Sequence, residues 1–192
     1  MQIDSKPTGS SSHPMAELRN LPASSVLLLL TPIMVPSGFS NYDKRDTKPP
    51  EISKARIDKI DTDPFEHLGR ALSKHYQRIR HVPYVPSVGF TETHEAFLMK
   101  ADGIIIVTSE PEQKLGASGA PSTEAVLSKQ ADFAESVLTA LDDEDRRVPV
   151  ANFHFGDELS KPDVPEIENV WVADKYSARA VARIVQLLKT SK

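Results

Sequence analysis

Two short, unbroken apolar runs constrain the fold of this chain more than any other feature: Ser25 to Thr31, with four consecutive leucines, and Gly103 to Thr108, with three consecutive isoleucines and a valine. A strand with one face in water alternates apolar and polar residues. An unbroken run bounded by breakers is what a strand covered on both faces requires, and that is the condition of a parallel sheet. These runs are read as the first strand and as a central strand.

The segments between and after them supply the crossovers. Asp63 can cap a helix, Pro64 suits its first position, and Glu66 stands where a capping-box carboxylate would reach back. A helix to about Tyr76 follows, with Phe65, Leu68, Leu72 and Tyr76 in one stripe and His67 and His75 outside it. Arg78 to Val85 alternates basic and apolar residues and reads as a second strand near an edge, because Pro83 withholds a ladder donor. Thr91 to Lys100 makes a helix, and Glu110 to Ser122, holding Gly116 and Gly119, makes a loop. Ser122 to Leu141 is a long helix with Val126, Phe133, Val137 and Leu141 on one face, ended by the charged run Asp142 to Arg147. Val148 to Phe153 and Val170 to Val172 are the fourth and fifth strands, and Ser177 caps a last helix carrying Val181, Ile184, Val185 and Leu188.

Alternating strands and helices with right-handed crossovers predict an α/β fold: a doubly wound, mainly parallel five-stranded sheet, flavodoxin-like, of order 2-1-3-4-5. In such sheets a ligand sits beyond the carboxyl ends of strands 1 and 3, where the order reverses. The expected crevice residues are Thr31, Thr108, Ser109 and Glu110, with His154 brought over from the end of the fourth strand. The 192 residues suit one domain, placed at 23–190. Residues 1–22, rich in Ser and Pro, are expected to be a disordered arm, and 32–62, polar and prolyl, an irregular excursion with part of Ile52 to Ile60 helical.

Composition closes several doors. A net charge of −4 with both signs interspersed offers no positive field for nucleic acid. The absence of cysteine removes disulfides, thiolate nucleophiles and cysteine-ligated zinc. The longest apolar run is far shorter than the roughly 20 residues that span a bilayer. With no basic start or apolar core of a secretory signal, a cytoplasmic location is expected.

The chemistry-bearing motifs fail one by one. Gly116 to Gly119 lacks the Lys-Ser/Thr ending of a phosphate loop, and no cofactor is expected. His94-Glu95 starts like a zinc-protease helix, but Leu98 occupies the second ligand position, so His94 is read as a surface or capping residue and no metal is expected. His67 and His75 are separated by Ala71 at the intervening turn. Asp142 to Asp145 is a solvated run, and no Gly-x-Ser-x-Gly elbow occurs.

In their order, Val26 to Pro32, the Phe-x-x-Leu-Gly-Arg-Ala-Leu run ending at Leu72, Ala101 to Ser109, Val148 to Val150 and the tail from Pro165-Glu166 through Tyr176-Ser177 to Ala182 resemble the C-terminal domain of family 3 glycoside hydrolases, in the β-N-acetylglucosaminidase-like branch. The resemblance runs from Ser25 to Leu188 and departs from the family pattern at residues 32–62. It implies that the catalytic groups of such an enzyme lie in a separate barrel domain, so no catalytic residue carries over to this chain. The family's Lys-His-Phe/Ile-Pro-Gly loop is absent, since Lys74-His75 is followed by Tyr76-Gln77. Retaining hydrolysis needs two carboxyl groups about 5 Å apart, and nothing in the sequence locates such a pair. The expectation is a noncatalytic accessory domain that packs against a barrel domain or another protein, or holds a small polar ligand. The alternatives are a self-sufficient small hydrolase or ligand-binding protein working at the crevice, and a fragment of a longer chain.

Overall fold

The structure, a computed structural model, describes residues 13–39, 63–112, 121–162, 164 and 167–189. In chain order its elements are helix α1 (Pro14–Arg19), strand β1 (Val26–Pro32), helix α2 (Glu66–Leu72), strand β2 (Arg78–Tyr84), helix α3 (Glu92–Leu98) and strand β3 (Gly103–Ser109). Helix α4 (Thr123–Asp143), strand β4 (Val150–Phe155), a single 3₁₀ turn (Glu158–Ser160), strand β5 (Glu168–Ala173) and helix α5 (Ala178–Leu188) complete them. The strands form one sheet of order β2-β1-β3-β4-β5 in which every neighbouring pair is parallel. This is the doubly wound, flavodoxin-like α/β fold expected from the two apolar runs, with β2 and its Pro83 at an edge.

The pleat explains why those runs are unbroken. Leu27 and Leu29 of β1, with Ile105 and Val107 of β3, enter the core beneath α1, α2 and α5. Leu28 and Leu30, with Ile104 and Ile106, enter the opposite core with Leu98 of α3 and with Phe133, Ala134 and Val137 of α4. Successive side chains point to opposite faces, so a strand covered on both sides is apolar at every position. Tyr84 and Phe133 stack in the second core with ring centroids 3.8 Å apart, and the Tyr84 hydroxyl donates to the Val107 carbonyl at 2.9 Å.

Several local expectations are corrected. Residues 14–19, expected within a disordered arm, form α1, which starts at Pro14 and buries Met15 and Leu18. It is tied down by the Met15 amide donating to Glu168 Oε2 at 2.8 Å and by the Tyr76 hydroxyl donating to the Leu18 carbonyl at 3.2 Å. Gly103 makes the room for it: a Cβ there would stand 2.6 Å from Leu21 and 2.8 Å from Leu18. Residues 1–12 lie outside the described residues, as do 40–62 with Ile52 to Ile60, and 113–120 with Gly116 and Gly119. The described start of the 32–62 excursion is pinned, with Pro36 bridging Pro111 and the Ser37 amide donating to the Glu110 carbonyl at 3.0 Å.

Helix α2 begins at Glu66 because Asp63 caps a preceding turn, its Oδ1 accepting from the Phe65 amide at 2.9 Å, while Glu66 pairs with Arg70 at 2.6 Å instead of reaching back. On α4 the buried stripe runs through Leu127, Gln130, Phe133, Ala134, Val137 and Leu141, with Val126 at its margin. Strand β4 runs on to Phe155, so His154 belongs to the strand and not to the loop after it.

If α1 is part of the fold, Leu18→Ala should lower the unfolding free energy by about 2–5 kcal/mol in urea denaturation, the usual cost of emptying a closed core position. A change below about 0.5 kcal/mol, as at an ordinary surface site, would show that α1 is not packed.

Candidate functional site

The polar residues at the carboxyl ends of the central strands fall on two faces of the sheet. Thr31 shares the face of Leu27 and Leu29 and pairs with the edge strand, its hydroxyl 2.7 Å from His81 Nε2, which also lies 3.5 Å from Asp63 Oδ2. Burial pulls the His81 pKa down, partly offset by Asp63 and Glu66. Thr108, Asn152 and His154, all fully buried, occupy the opposite face beneath α4. Sequence position alone had grouped Thr31 with Thr108, Ser109, Glu110 and His154; of these the structure brings Thr108, Glu110 and His154 together.

The Thr108 hydroxyl lies 3.0 Å from His154 Nδ1 and 3.2 Å from Asn152 Oδ1, and the Asn152 amide donates to Asn169 Oδ1 at 2.9 Å. On the other side of the imidazole, His154 Nε2 is 3.3 Å from Ser160 Oγ, which lies 2.7 Å from Glu110 Oε1. That carboxylate oxygen also accepts from the Asp157 amide at 3.1 Å. Gly156 lets the turn close: with φ at 151° and a hypothetical Cβ only 2.6 Å from Glu110 Cγ, a side chain would collide there. Trp171 fixes the same turn by donating to the Gly156 carbonyl at 2.9 Å.

Ser109 is not a free hydroxyl at the crevice. Its amide donates to Gln130 Oε1 at 2.7 Å and its carbonyl accepts from Gln130 Nε2 at 2.8 Å, so a side-chain amide of α4 pairs with the strand end as another strand would. The Ser109 hydroxyl donates to the Glu110 carbonyl at 3.1 Å.

Burial pushes the His154 pKa down to about 4, against the pull of the Glu110 carboxylate, and the ring is neutral at pH 7. The Ser160 hydroxyl also lies 2.8 Å from the Asp157 carbonyl. That carbonyl and the Glu110 carboxylate only accept, so the Ser160 proton points towards them and Nε2–H of His154 donates to Ser160 Oγ, while the single Thr108 proton is divided between Asn152 Oδ1 and His154 Nδ1. This polarity is opposite to that of an activated serine, whose proton must point at the imidazole. Ser160 also borders a cleft of 430 Å³ lined mainly by the first half of α4, including Leu127 and Ala131, and by Pro162.

His94, expected at the surface or as a cap, is buried and caps α3: its Nδ1 accepts from the Thr91 amide at 3.1 Å, completing a capping box. Asp142 to Asp145 are exposed, as a solvated run should be. Among the described residues no group of three His, Asp or Glu side chains could hold a metal ion, and no helix is long and apolar enough to cross a membrane. Sequence reasoning missed Asn152 and Ser160. The period-two polar pair Asn152 and His154, inside an otherwise apolar strand, was the signal for the first. A comparison of the sequence with models of known protein families gives no match, and neither does one with curated proteins.

The His154 linkage predicts a pH effect of definite sign. A base whose folded pKa lies below its unfolded value of 6.5 takes up more protons when unfolded, so stability present above 6.5 is lost as pH falls towards 4. The loss attributable to this group is on the order of 3 kcal/mol. Urea denaturation of wild type and His154→Gln at pH 7.5 and pH 4 should show a smaller acid loss in the variant; equal losses would mean that His154 is not held neutral.

Proposed function

We propose that this chain is a noncatalytic docking module, related to the C-terminal domain of family 3 glycoside hydrolases and accessory to, or derived from, a β-N-acetylglucosaminidase-like carbohydrate hydrolase. One observation carries the docking role. The large apolar side chains left exposed among the described residues are Ile33, Val35, Val85, Val88 and Leu159, and every one lies in a segment that follows the carboxyl end of β1, β2 or β4. Apolar residues gathered on one edge, above polar groups already bonded to one another, suit a protein contact better than a reaction centre. The glycosidase association rests on the resemblance in sequence.

A self-sufficient hydrolase at the crevice is the competing reading, favoured by the nearness of His154 and Ser160. The donor direction between them and the engagement of Ser109 by Gln130 weigh against it.

Hydrolysis of a chromogenic β-N-acetylglucosaminide by the purified chain, alone and mixed with a family 3 barrel domain, tests the proposal. The isolated chain should be silent, and the mixture should turn over faster or stay active longer than the barrel alone. Turnover by the isolated chain overturns the noncatalytic reading; a mixture indistinguishable from the barrel overturns the accessory one.

A further inference from the structure

The two outer strands of the sheet are protected in different ways. An outer strand presents backbone donors and acceptors on which a strand of another chain can build, unless charges, proline or a covering group blunt it. At β2 the strand's own sequence does this: Arg78, Arg80 and Pro83 are exposed, and the Pro83 carbonyl lies 3.4 Å from His94 Nε2. Among the described residues β5 pairs with β4 alone, and its sequence carries one charge, that of Glu168, which is taken up by His13 and the Met15 amide. Val170, Trp171 and Val172 at its centre are residue types that favour further pairing. The register passes from Trp171 opposite His154 to Ala173 opposite Phe155, so Val172 is a bulge residue with no partner on β4. The Ala173 carbonyl turns to β4 and accepts from the Gly156 amide at 3.0 Å, whereas the Val172 carbonyl accepts from Arg183 Nη1. Val170 and Val172 turn into the core under α5, and Trp171 between them turns to the other face. Arg183, which comes from α5, places its Cζ 5.3 Å from the centre of the Trp171 ring, so this one side chain wraps around the edge of the sheet.

We infer that Arg183 closes the β5 edge to strand addition, and that the strand it shuts out is β5 of a second copy of this chain. A guanidinium suits the position, because one planar group can hold a carbonyl and lie over an indole together, whereas an ammonium is a point donor. It springs from a helix anchored on the sheet by Val181, Ile184 and Leu188, so the cover is in place whenever the fold is. The second copy is the strand excluded because the edge is complementary to itself. Two β5 strands set antiparallel about a twofold axis join two sheets into one, use up both edges and stop at a dimer. With that axis between Val170 and Trp171, each Glu168 faces an Ala173, and no like charges meet.

Analytical ultracentrifugation of wild type and Arg183→Ala over a range of concentrations tests the inference, with fluorescence of Trp171, the chain's single tryptophan, reporting on this edge. The variant should self-associate at least about ten-fold more strongly than wild type, as loss of one charge-assisted hydrogen bond implies, and form a species of twice the chain mass. Acrylamide should quench Trp171 more in the dilute variant than in wild type, and less again once the variant associates. Arg183→Met keeps the apolar stem without donor or charge; it should associate as well, and it stands in if circular dichroism shows that the alanine variant is unfolded. Leu98→Ala, which empties a buried position on α3 near the other end of the sheet, should sediment as wild type does. Folded Arg183 variants that sediment like wild type, equal association of Leu98→Ala, or association that leaves Trp171 quenching unchanged would overturn the inference.

Discussion

The burial of β1 and β3 on both faces is the constraint on which the rest of the molecule depends. Leu27 to Leu30 and Ile104 to Val107 are each completely removed from solvent. At about 2 kcal/mol for each fully buried aliphatic side chain, no arrangement that leaves one sheet face open competes with one that covers both. Helices must lie on each side, and with parallel strands every return connection is a crossover. All strands therefore end at the same edge, and the segments after β1, β2, β3 and β4 are brought side by side there whatever their own sequences favour.

At that edge the sheet stops being apolar. Thr108, Asn152 and His154 continue the inward pattern of β3 and β4 with polar groups, each of which would be costly if left unpaired. The fold answers with a relay of side chains from Asn169 through Asn152, Thr108, His154 and Ser160 to Glu110. The same low-polarity surroundings that keep His154 neutral strengthen these bonds, so the cluster acts as a stiff polar plug between α4 and the sheet.

How far the sequence disclosed this depends on the range of the interactions concerned. Strand order was legible because apolar runs and amphipathic stripes are local signals that imply a global layering, and Pro83 marked an edge strand by its missing donor. Helix α1 was not, because six residues with two inward apolar positions lie amid Ser and Pro, and their stability comes from Leu21, Tyr76 and Glu168, two of them far along the chain. For the polar cluster, chain position pointed to Thr108, Glu110 and His154. Ser160 could not be read, since only the tight turn permitted by Gly156 folds it back onto His154. Thr31 was misgrouped for a related reason: strand parity, not position along the strand, decides which face a side chain joins.

Glu110 has a consequence of its own. Its carbonyl accepts from Ser37 after β1 and its carboxylate from Asp157 and Ser160 after β4, so one residue is shared by segments on either side of β3. Anything that stiffens one of these segments narrows the conformations open to the other, and the benefit is mutual, because thermodynamic coupling between two contact regions has no preferred direction. A contact made at one end of this edge would thus be felt at the other, through a residue bonded on both sides within the chain.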